Sequence, residues 1–112
     1  MTDERIEEEK VNDDIYYRLK LSDGTTACTL QIDRYHKTLV NIWTNSELRR
    51  RGYGRKLFQY VEAIAKSNGI KVMKTTDIDS LCVCAVGFFR AMGFNLKSIE
   101  NNSQFLEGEK VL

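Results

Sequence analysis

The chain has 112 residues, of which 42% are hydrophobic and 29% are charged, and its formal net charge is +1. This length fits one domain with a real core and little room for a second domain. The composition excludes a chain that is disordered throughout and a global polycation.

The sequence has no apolar run near the roughly 18–20 residues that a membrane span needs, and no signal-peptide pattern. Cys28, Cys82 and Cys84 are odd in number and lack a disulfide-framework spacing, which favours a reducing, cytoplasmic setting. Cys82 and Cys84 together with the lone histidine, His36, do not make a tetrahedral zinc site. We therefore expect neither a membrane association nor a metal.

Residues 1–14 form an acidic segment in which seven carboxylates stand against only Arg5 and Lys10. We expect this segment to be frayed or solvated, although Ile6 and Val11 also permit a short strand or helix. Residues 15–112 are expected to form the folded domain.

The part that follows the acidic segment predicts an antiparallel meander. Residues 15–21 alternate as in a strand, and Asp23-Gly24 is a strong signal for a two-residue hairpin turn. Residues 25–35 form the partner strand, a turn lies at 36–37, and residues 38–44 form a third strand.

The period then changes to that of a helix. Apolar residues recur at helical spacing from residue 54 to 68, and Gly69 is placed to cap the end of this helix. A strand over 70–78, a second helix over about 81–92 and short strands near 94–99 and 105–111 complete the prediction. The order β-β-β-α-β-α-β-β predicts a mixed α/β fold with a largely antiparallel sheet.

The basic turn at residues 49–56, Arg-Arg-Arg-Gly-Tyr-Gly-Arg-Lys, is the most informative stretch. Five cations stand where a helix N-terminus carries a partial positive charge, and each is disfavoured there by about 0.3–1 kcal/mol. A bound anion reverses the sign of that energy. Gly52 and Gly54 lack Cβ atoms where backbone N–H groups would approach phosphate oxygens. The pattern favours a phosphate-binding turn over a solvated basic turn.

Arg49, Gly52 and Gly54 resemble the Arg/Gln-x-x-Gly-x-Gly/Ala signature of the GCN5-related N-acetyltransferase (GNAT) superfamily. Residues 85–94, Ala-Val-Gly-Phe-Phe-Arg-Ala-Met-Gly-Phe, are similar to the Ala-x-x-Phe-Tyr-x-x-x-Gly-Phe helix end of that family. Both motifs occur in the family's order and spacing. The chain therefore resembles a short, single-domain GNAT member over residues 15–112.

The resemblance implies that acetyl-CoA donates an acetyl group to an amine. The backbone of residues 41–43 would pair with the pantetheine arm, and the N–H groups from 49 to 54 would hold the pyrophosphate. Lys56 and the neighbouring arginines would neutralise further phosphate charge, and Trp43 is interpreted as core packing rather than a substrate contact. The implied cofactor-binding residues are Asn41, Ile42, Trp43, Arg49, Arg50, Arg51, Gly52, Tyr53, Gly54, Arg55, Cys82 and Phe89.

The chain departs from the family at the general acid. Family members often have an Asn seven residues before the Tyr that protonates the departing CoA thiolate, and these positions hold Cys82 and Phe89 here. Because phenylalanine cannot donate a proton, Phe89 is interpreted as a core aromatic. Cys84 or solvent is the candidate replacement.

The resemblance also suggests a general base. Asp77, late in the strand before the second helix, matches a carboxylate that serves as the base in some family members. Asp79 and Glu47 are the other nearby carboxylates, and a plain solvated strand-end carboxylate is the alternative interpretation of Asp77.

The chain is also shorter than the family pattern, which places two helices between the first strand and the meander. Residues 1–14 cannot supply both helices, so either the acceptor site is open or a protein partner or second copy completes it. The acceptor amine would belong to a small molecule, a polyamine or a protein. The other hypotheses are a regulatory module that binds acetyl-CoA or CoA and acts on a protein partner, and a nucleic-acid-binding protein. The net charge of +1 and the single basic patch argue against the last of these.

Overall fold

The computed structural model describes residues 4–33, 38–45, 48, 51–100 and 102–112. Their elements are β1 (Arg5–Val11), β2 (Asp14–Lys20), β3 (Thr26–Asp33), β4 (Thr38–Thr44), α1 (Tyr53–Ser67), β5 (Val72–Asp79), α2 (Val83–Ala91), β6 (Asn95–Ile99) and β7 (Asn102–Val111). The predicted mixed α/β class and the order of the elements after β1 are confirmed.

One seven-stranded sheet has the order β1-β2-β3-β4-β5-β7-β6. All neighbours are antiparallel except β4 and β5, which are parallel. The loop that joins β2 to β3 contains Asp23-Gly24 as predicted, but it has three residues, 22–24, rather than two, because the N–H of Leu21 donates to the carbonyl of Thr25 at 2.9 Å. Within it, the N–H of Gly24 donates to the carbonyl of Leu21 at 2.9 Å.

In the acidic segment, the expected frayed end is not found over Arg5–Val11, and the alternative, a short strand, is formed there as β1. Arg5 lies opposite Lys20 and Val11 lies opposite Asp14, so the whole strand is paired with β2. The side chains of β1 are nearly all exposed. The strand is held by its backbone ladder and not by burial, which explains why hydrophobic periodicity did not predict it.

Both helices lie on the same face of the sheet. The Phe58 ring of α1 lies 6.3 Å from the Phe88 ring of α2 and 5.7 Å from the Phe94 ring. The core between helices and sheet includes Leu19 and Leu30 from the first strands and Leu57 from α1. As predicted, Gly69 follows α1 with φ +79°, and the N–H of Ile70 reaches back to the carbonyl of Ala65 at 3.0 Å.

The opposite side of the sheet is called the open face here, because none of the described helices packs on it. Strand alternation and the cross-strand register assign its side chains. They include Tyr16, Arg18, Gln31, Trp43, Lys74, Asn95, Lys97, Glu107 and Glu109. The open face is therefore polar and mixed in charge, which fits a surface in contact with water.

Candidate functional site

The parallel strands β4 and β5 part soon after they meet. Their ladder consists of Thr38 opposite Lys74 and Leu39 opposite Thr75. Beyond these two rungs, β4 continues to Thr44 and β5 continues to Asp79 with no further pairing between them. The result is a V-shaped opening in the middle of the sheet, with backbone N–H and C=O groups along each arm.

Each arm carries a bulge next to the apex of this opening. In β4, Leu39 lies opposite Ile32 while Asn41 lies opposite Gln31, so Val40 is an extra residue. In β5, Thr75 and Ile78 are both buried although they are three positions apart. Bulges re-aim side chains and interrupt pairing, and they are common near active sites.

The β5 bulge holds Asp77 in an uncommon conformation. Its φ is +59°, in the left-handed region that aspartate tolerates better than most residues. Because Thr75 and Ile78 both point into the core, Thr76 and Asp77 occupy the two positions between them, and the Asp77 side chain is exposed. The bulge thus presents a solvated carboxylate beside the opening. A strained backbone at such a place supports a functional role.

Asp79 has a different, structural setting. Its Oδ1 accepts a hydrogen bond from the N–H of Leu81 at 2.9 Å, and its carbonyl accepts one from the N–H of Cys82 at 2.9 Å. This carboxylate therefore shapes the turn that leads from β5 into α2. Glu47, the third carboxylate considered above, lies outside the described residues.

The turn before α1 ends with its N–H groups exposed at the helix N-terminus. The first helical hydrogen bond runs from the N–H of Lys56 to the carbonyl of Gly52 at 3.0 Å. The N–H groups of Tyr53, Gly54 and Arg55 therefore precede the helical ladder and point out of the helix end. The first turn contains no acidic residue, which leaves the partial positive charge of this end uncompensated.

Gly52 and Gly54 have different surroundings. Gly52 has φ +82°, and a Cβ built on it meets none of the described residues within 4 Å, so this part of the structure leaves space for a ligand outside the turn. A Cβ on Gly54 would lie 3.1 Å from Cε1 of Phe88 and 3.6 Å from Oγ1 of Thr44. The sequence interpretation of Gly54 as room for a phosphate is thus incomplete, because this glycine also lets α1 approach α2.

The basic side chains of the turn are not equivalent. Arg51 and Arg55 are exposed at the start of α1 and are free to meet an anion. Lys56, expected to share this role, forms an ion pair with Glu4, which precedes β1. Arg49 and Arg50 lie outside the described residues.

The residues expected on the α2 side fall into two groups. Cys82 occupies the N-cap position of α2 without a side-chain hydrogen bond to it, Cys84 lies in the first turn, and both are exposed free thiols. Phe89 is only 4% exposed, and its ring lies 5.5 Å from Phe88 and 5.3 Å from Phe94. These contacts agree with the interpretation of Phe89 as a core aromatic.

Trp43 is placed differently from its expectation. It lies opposite Thr29 on the open face and is 46% exposed, so it is not a core residue. Together with Arg18 and Thr29 it lines a shallow cavity of about 420 Å³ on the β2–β4 side of the opening. The alternation of β4 could have indicated this, since Trp43 follows Ile42, which packs on the core.

Cys28, the third thiol, is buried under α1 and accepts a hydrogen bond from the Thr44 hydroxyl at 3.5 Å. Burial raises the pKa of the Cys28 thiol above its ordinary value, and this hydrogen bond offsets only part of the effect. Cys28 is therefore a neutral packing residue, whereas Cys82 and Cys84 are the accessible thiols.

Membrane-spanning helices and metal-binding clusters are both absent from the described residues. Neither helix is long and apolar enough to cross a membrane. No group of three or more histidine, cysteine, aspartate or glutamate side chains is arranged to hold a metal ion in this part of the chain.

A family model for the acetyltransferase (GNAT) family matches residues 10–94. No curated protein sequence matches the chain significantly.

Solved structures share the fold at low sequence identity. PaiA N-acetyltransferase from Thermoplasma acidophilum, in complex with coenzyme A, has a TM-score of 0.77 and 17% identity over 89% of this chain. This chain spans 62% of that protein's length. Nourseothricin acetyltransferase has a TM-score of 0.74 and 18% identity over 99% of this chain and 86% of its own. The ribosomal-protein-S18-alanine N-acetyltransferase from Escherichia coli has a TM-score of 0.72 and 13% identity, over 91% of this chain and 71% of its own.

Proposed function

The chain belongs to the acetyltransferase (GNAT) family, and we propose that it transfers the acetyl group of acetyl-CoA to an amine of a small molecule or protein. The observation that carries this proposal is the opening between β4 and β5, with the free N–H groups of α1 at the end of one arm and exposed Asp77 beside the apex. Family membership supports acetyl-CoA as the donor.

The chain's own groups fit the donor. The backbone of residues 41–43 in β4 lies beyond the last β4–β5 rung and has no partner in β5, which suits an extended amide-containing arm. The N–H groups of residues 53–55 suit a pyrophosphate, since a helix N-terminus favours anions. Exposed Arg51 and Arg55 add positive charge at the same place.

Asp77 is the proposed general base. An amine is protonated at neutral pH and must lose a proton before its nitrogen can attack the thioester carbonyl carbon. The Asp77 carboxylate, or a water bound to it, takes that proton. The new C–N bond forms as the C–S bond breaks, and the thiolate that leaves is protonated by Cys84 or by water. Free Cys28, Cys82 and Cys84 support a reducing, cytoplasmic setting as part of this proposal.

Binding and turnover are tested separately. Acetyl-CoA at 100 times its Kd should raise the free energy of unfolding by about 2.7 kcal/mol, and release of free thiol with a panel of amines measures transfer. Asp77→Asn should lower kcat by about 10²–10⁴-fold with little loss of stability, because asparagine also tolerates φ +59°. Asp79→Asn is the control, since its amide oxygen can still accept from Leu81.

Three results would contradict the proposal. Absence of acetyl-CoA binding would remove the donor. Equal kcat values for the Asp77→Asn variant and the wild type would remove the base. Tight acetyl-CoA binding with no transfer to any amine or protein extract would indicate a regulatory module instead.

A further inference from the structure

The open face carries a second cavity, of about 390 Å³, on the β5–β7–β6 side of the opening. Its lining includes Lys74, Thr76, Asn95, Lys97, Glu107 and Glu109. We propose that this cavity binds the acceptor, and that the acceptor is a zwitterion of the amino-acid type, with an amine and a carboxylate close together. This inference rests on the proposed acetyl transfer.

The charges of the cavity are arranged by strand. Glu107 and Glu109 both lie on β7, while Lys74 lies opposite Glu109 on β5 and Lys97 lies opposite Glu107 on β6. Two carboxylates therefore run down the middle, with one ammonium group on each side. The cavity holds two formal positive and two formal negative charges.

These four side chains are available to a ligand. The ion pairs within 4.0 Å in the described part of the chain join other residues, Arg5–Glu7, Arg18–Glu9, Lys56–Glu4 and Lys110–Glu62. Lys74 and Lys97 each lie opposite a glutamate on β7, but neither lysine forms an ion pair with that glutamate. Both lysines and Glu109 are exposed, and Glu107 is half-buried.

This pattern selects among amine acceptors by charge. A polyamine would gain from the two glutamates but would be repelled by the two lysines on either side. A dianion would be attracted by the two lysines but repelled by the two glutamates. A zwitterion satisfies both signs at once, with its ammonium group towards β7 and its carboxylate towards Lys74 or Lys97. The volume is at the low end of the range for small-molecule sites and suits a ligand of this size.

The position of the cavity also fits the proposed chemistry. Because of the β5 bulge, Thr76 and Asp77 together lie opposite a single residue of β7, Glu107. Glu107 and Thr76 line the cavity whereas Asp77 does not, so an ammonium group held by Glu107 would lie one residue along β5 from the residue proposed to take its proton. The ligand's carboxylate then points away from the opening, towards a lysine.

The experiment compares amino acids with the amines that differ from them only by loss of the carboxylate. Suitable pairs are lysine and cadaverine, ornithine and putrescine, and tyrosine and tyramine. We expect a higher kcat/KM for the amino acid in each pair that is acetylated. Lys74→Gln and Lys97→Gln should each lower the ratio of the two kcat/KM values by about two- to fivefold, the upper part of the range expected of one exposed ion pair. Lys71→Gln, an exposed lysine outside the cavity lining, is the control and should leave the ratio unchanged.

A binding measurement makes the test independent of turnover. Backbone amide NMR signals are followed during titration with the same compounds, with and without acetyl-CoA, and zwitterions should shift the signals of Thr76 and Glu107. Preference for the decarboxylated amines, or shifts confined to residues outside the cavity, would overturn the inference while leaving acetyl transfer intact. Failure of acetyl-CoA itself to bind would instead overturn the proposed function.

Discussion

The Thr75 hydroxyl donates a hydrogen bond to the backbone carbonyl of Leu39 at 3.2 Å, and both residues are almost completely buried. They also form the last rung of the β4–β5 ladder. A side chain therefore fastens the two strands at the point where they begin to part. This bond fixes the apex of the opening and, through it, the positions of both bulges.

We expect Thr75→Val to lower the free energy of unfolding by about 1–3 kcal/mol, because the Leu39 carbonyl loses a buried partner. Chemical unfolding in urea measures the change. Thr75→Ser keeps the hydroxyl and is the matched control. If the valine and serine variants are equally stable, the hydrogen bond does not hold the apex.

Gly54→Ala should destabilise the fold by about 1–3 kcal/mol, since its methyl group would press on the Phe88 ring. Phe88→Leu should remove part of this cost, so the double variant should be more stable than the sum of the single changes predicts. Gly87→Ala is the control, because no described residue lies within 4 Å of that Cβ position, and it should gain up to about 1 kcal/mol from helix propensity. Strict additivity would show that the contact is unimportant.

Two substitutions of Gly52 can distinguish the effect of its backbone conformation on stability from the effect of a side chain on ligand binding. Gly52→Asn and Gly52→Val both place a side chain in the open region above the helix end, so both should weaken acetyl-CoA binding. Asparagine tolerates φ +82° far better than valine, so we expect the asparagine variant to be the more stable of the two. Calorimetric titration measures the affinity for acetyl-CoA, and thermal unfolding measures the stability. Near-native affinity in both variants would remove the pyrophosphate assignment from this turn.

Affinity for acetyl-CoA should fall as salt rises, because basic side chains face a multiply charged anion. Arg51→Gln and Arg55→Gln should weaken both the affinity and its salt dependence. Lys66→Gln, near the other end of α1, serves as the charge-matched control and should change neither. We expect a smaller effect from Lys56→Gln, since Lys56 is already paired with Glu4. A wild-type affinity that does not change with salt would contradict this view of the basic turn.

Phe89→Tyr introduces the residue type that the family resemblance implies as a general acid, but the ring of Phe89 is buried between Phe88 and Phe94. We expect the added hydroxyl to cost about 1–3 kcal/mol of stability, because a buried hydroxyl without a partner is unfavourable. We also expect kcat to stay unchanged. A rise in kcat with unchanged stability would show instead that the hydroxyl reaches the opening.

Sequence patterns predicted the parts of this fold that depend on periodicity or turn chemistry. The α1 helix followed from its apolar spacing, and the position of the β2–β3 hairpin, although not the three-residue length of its loop, followed from Asp23-Gly24. The sequence left β1 only as one alternative for the acidic segment, because Ile6 is its only side chain that is not exposed. The conformation of Asp77 and the role of Gly54 were also out of reach. The conformation of Asp77 depends on the shifted register between β5 and β7, and the role of Gly54 depends on the neighbouring Phe88 ring. Neither of these tertiary features leaves a pattern in the local sequence.

The charges of β1 have a consequence for how the molecule behaves at high concentration. β1 ends the sheet, so one side of its backbone is unpaired within the described chain, and such an edge is a template for joining another sheet. Arg5, Glu7, Glu8, Glu9 and Lys10 are all exposed along it. A second molecule approaching this edge would have to bring together and desolvate the glutamates of both copies. The acidic segment that was expected to be frayed or solvated therefore protects this edge of the sheet against edge-to-edge aggregation.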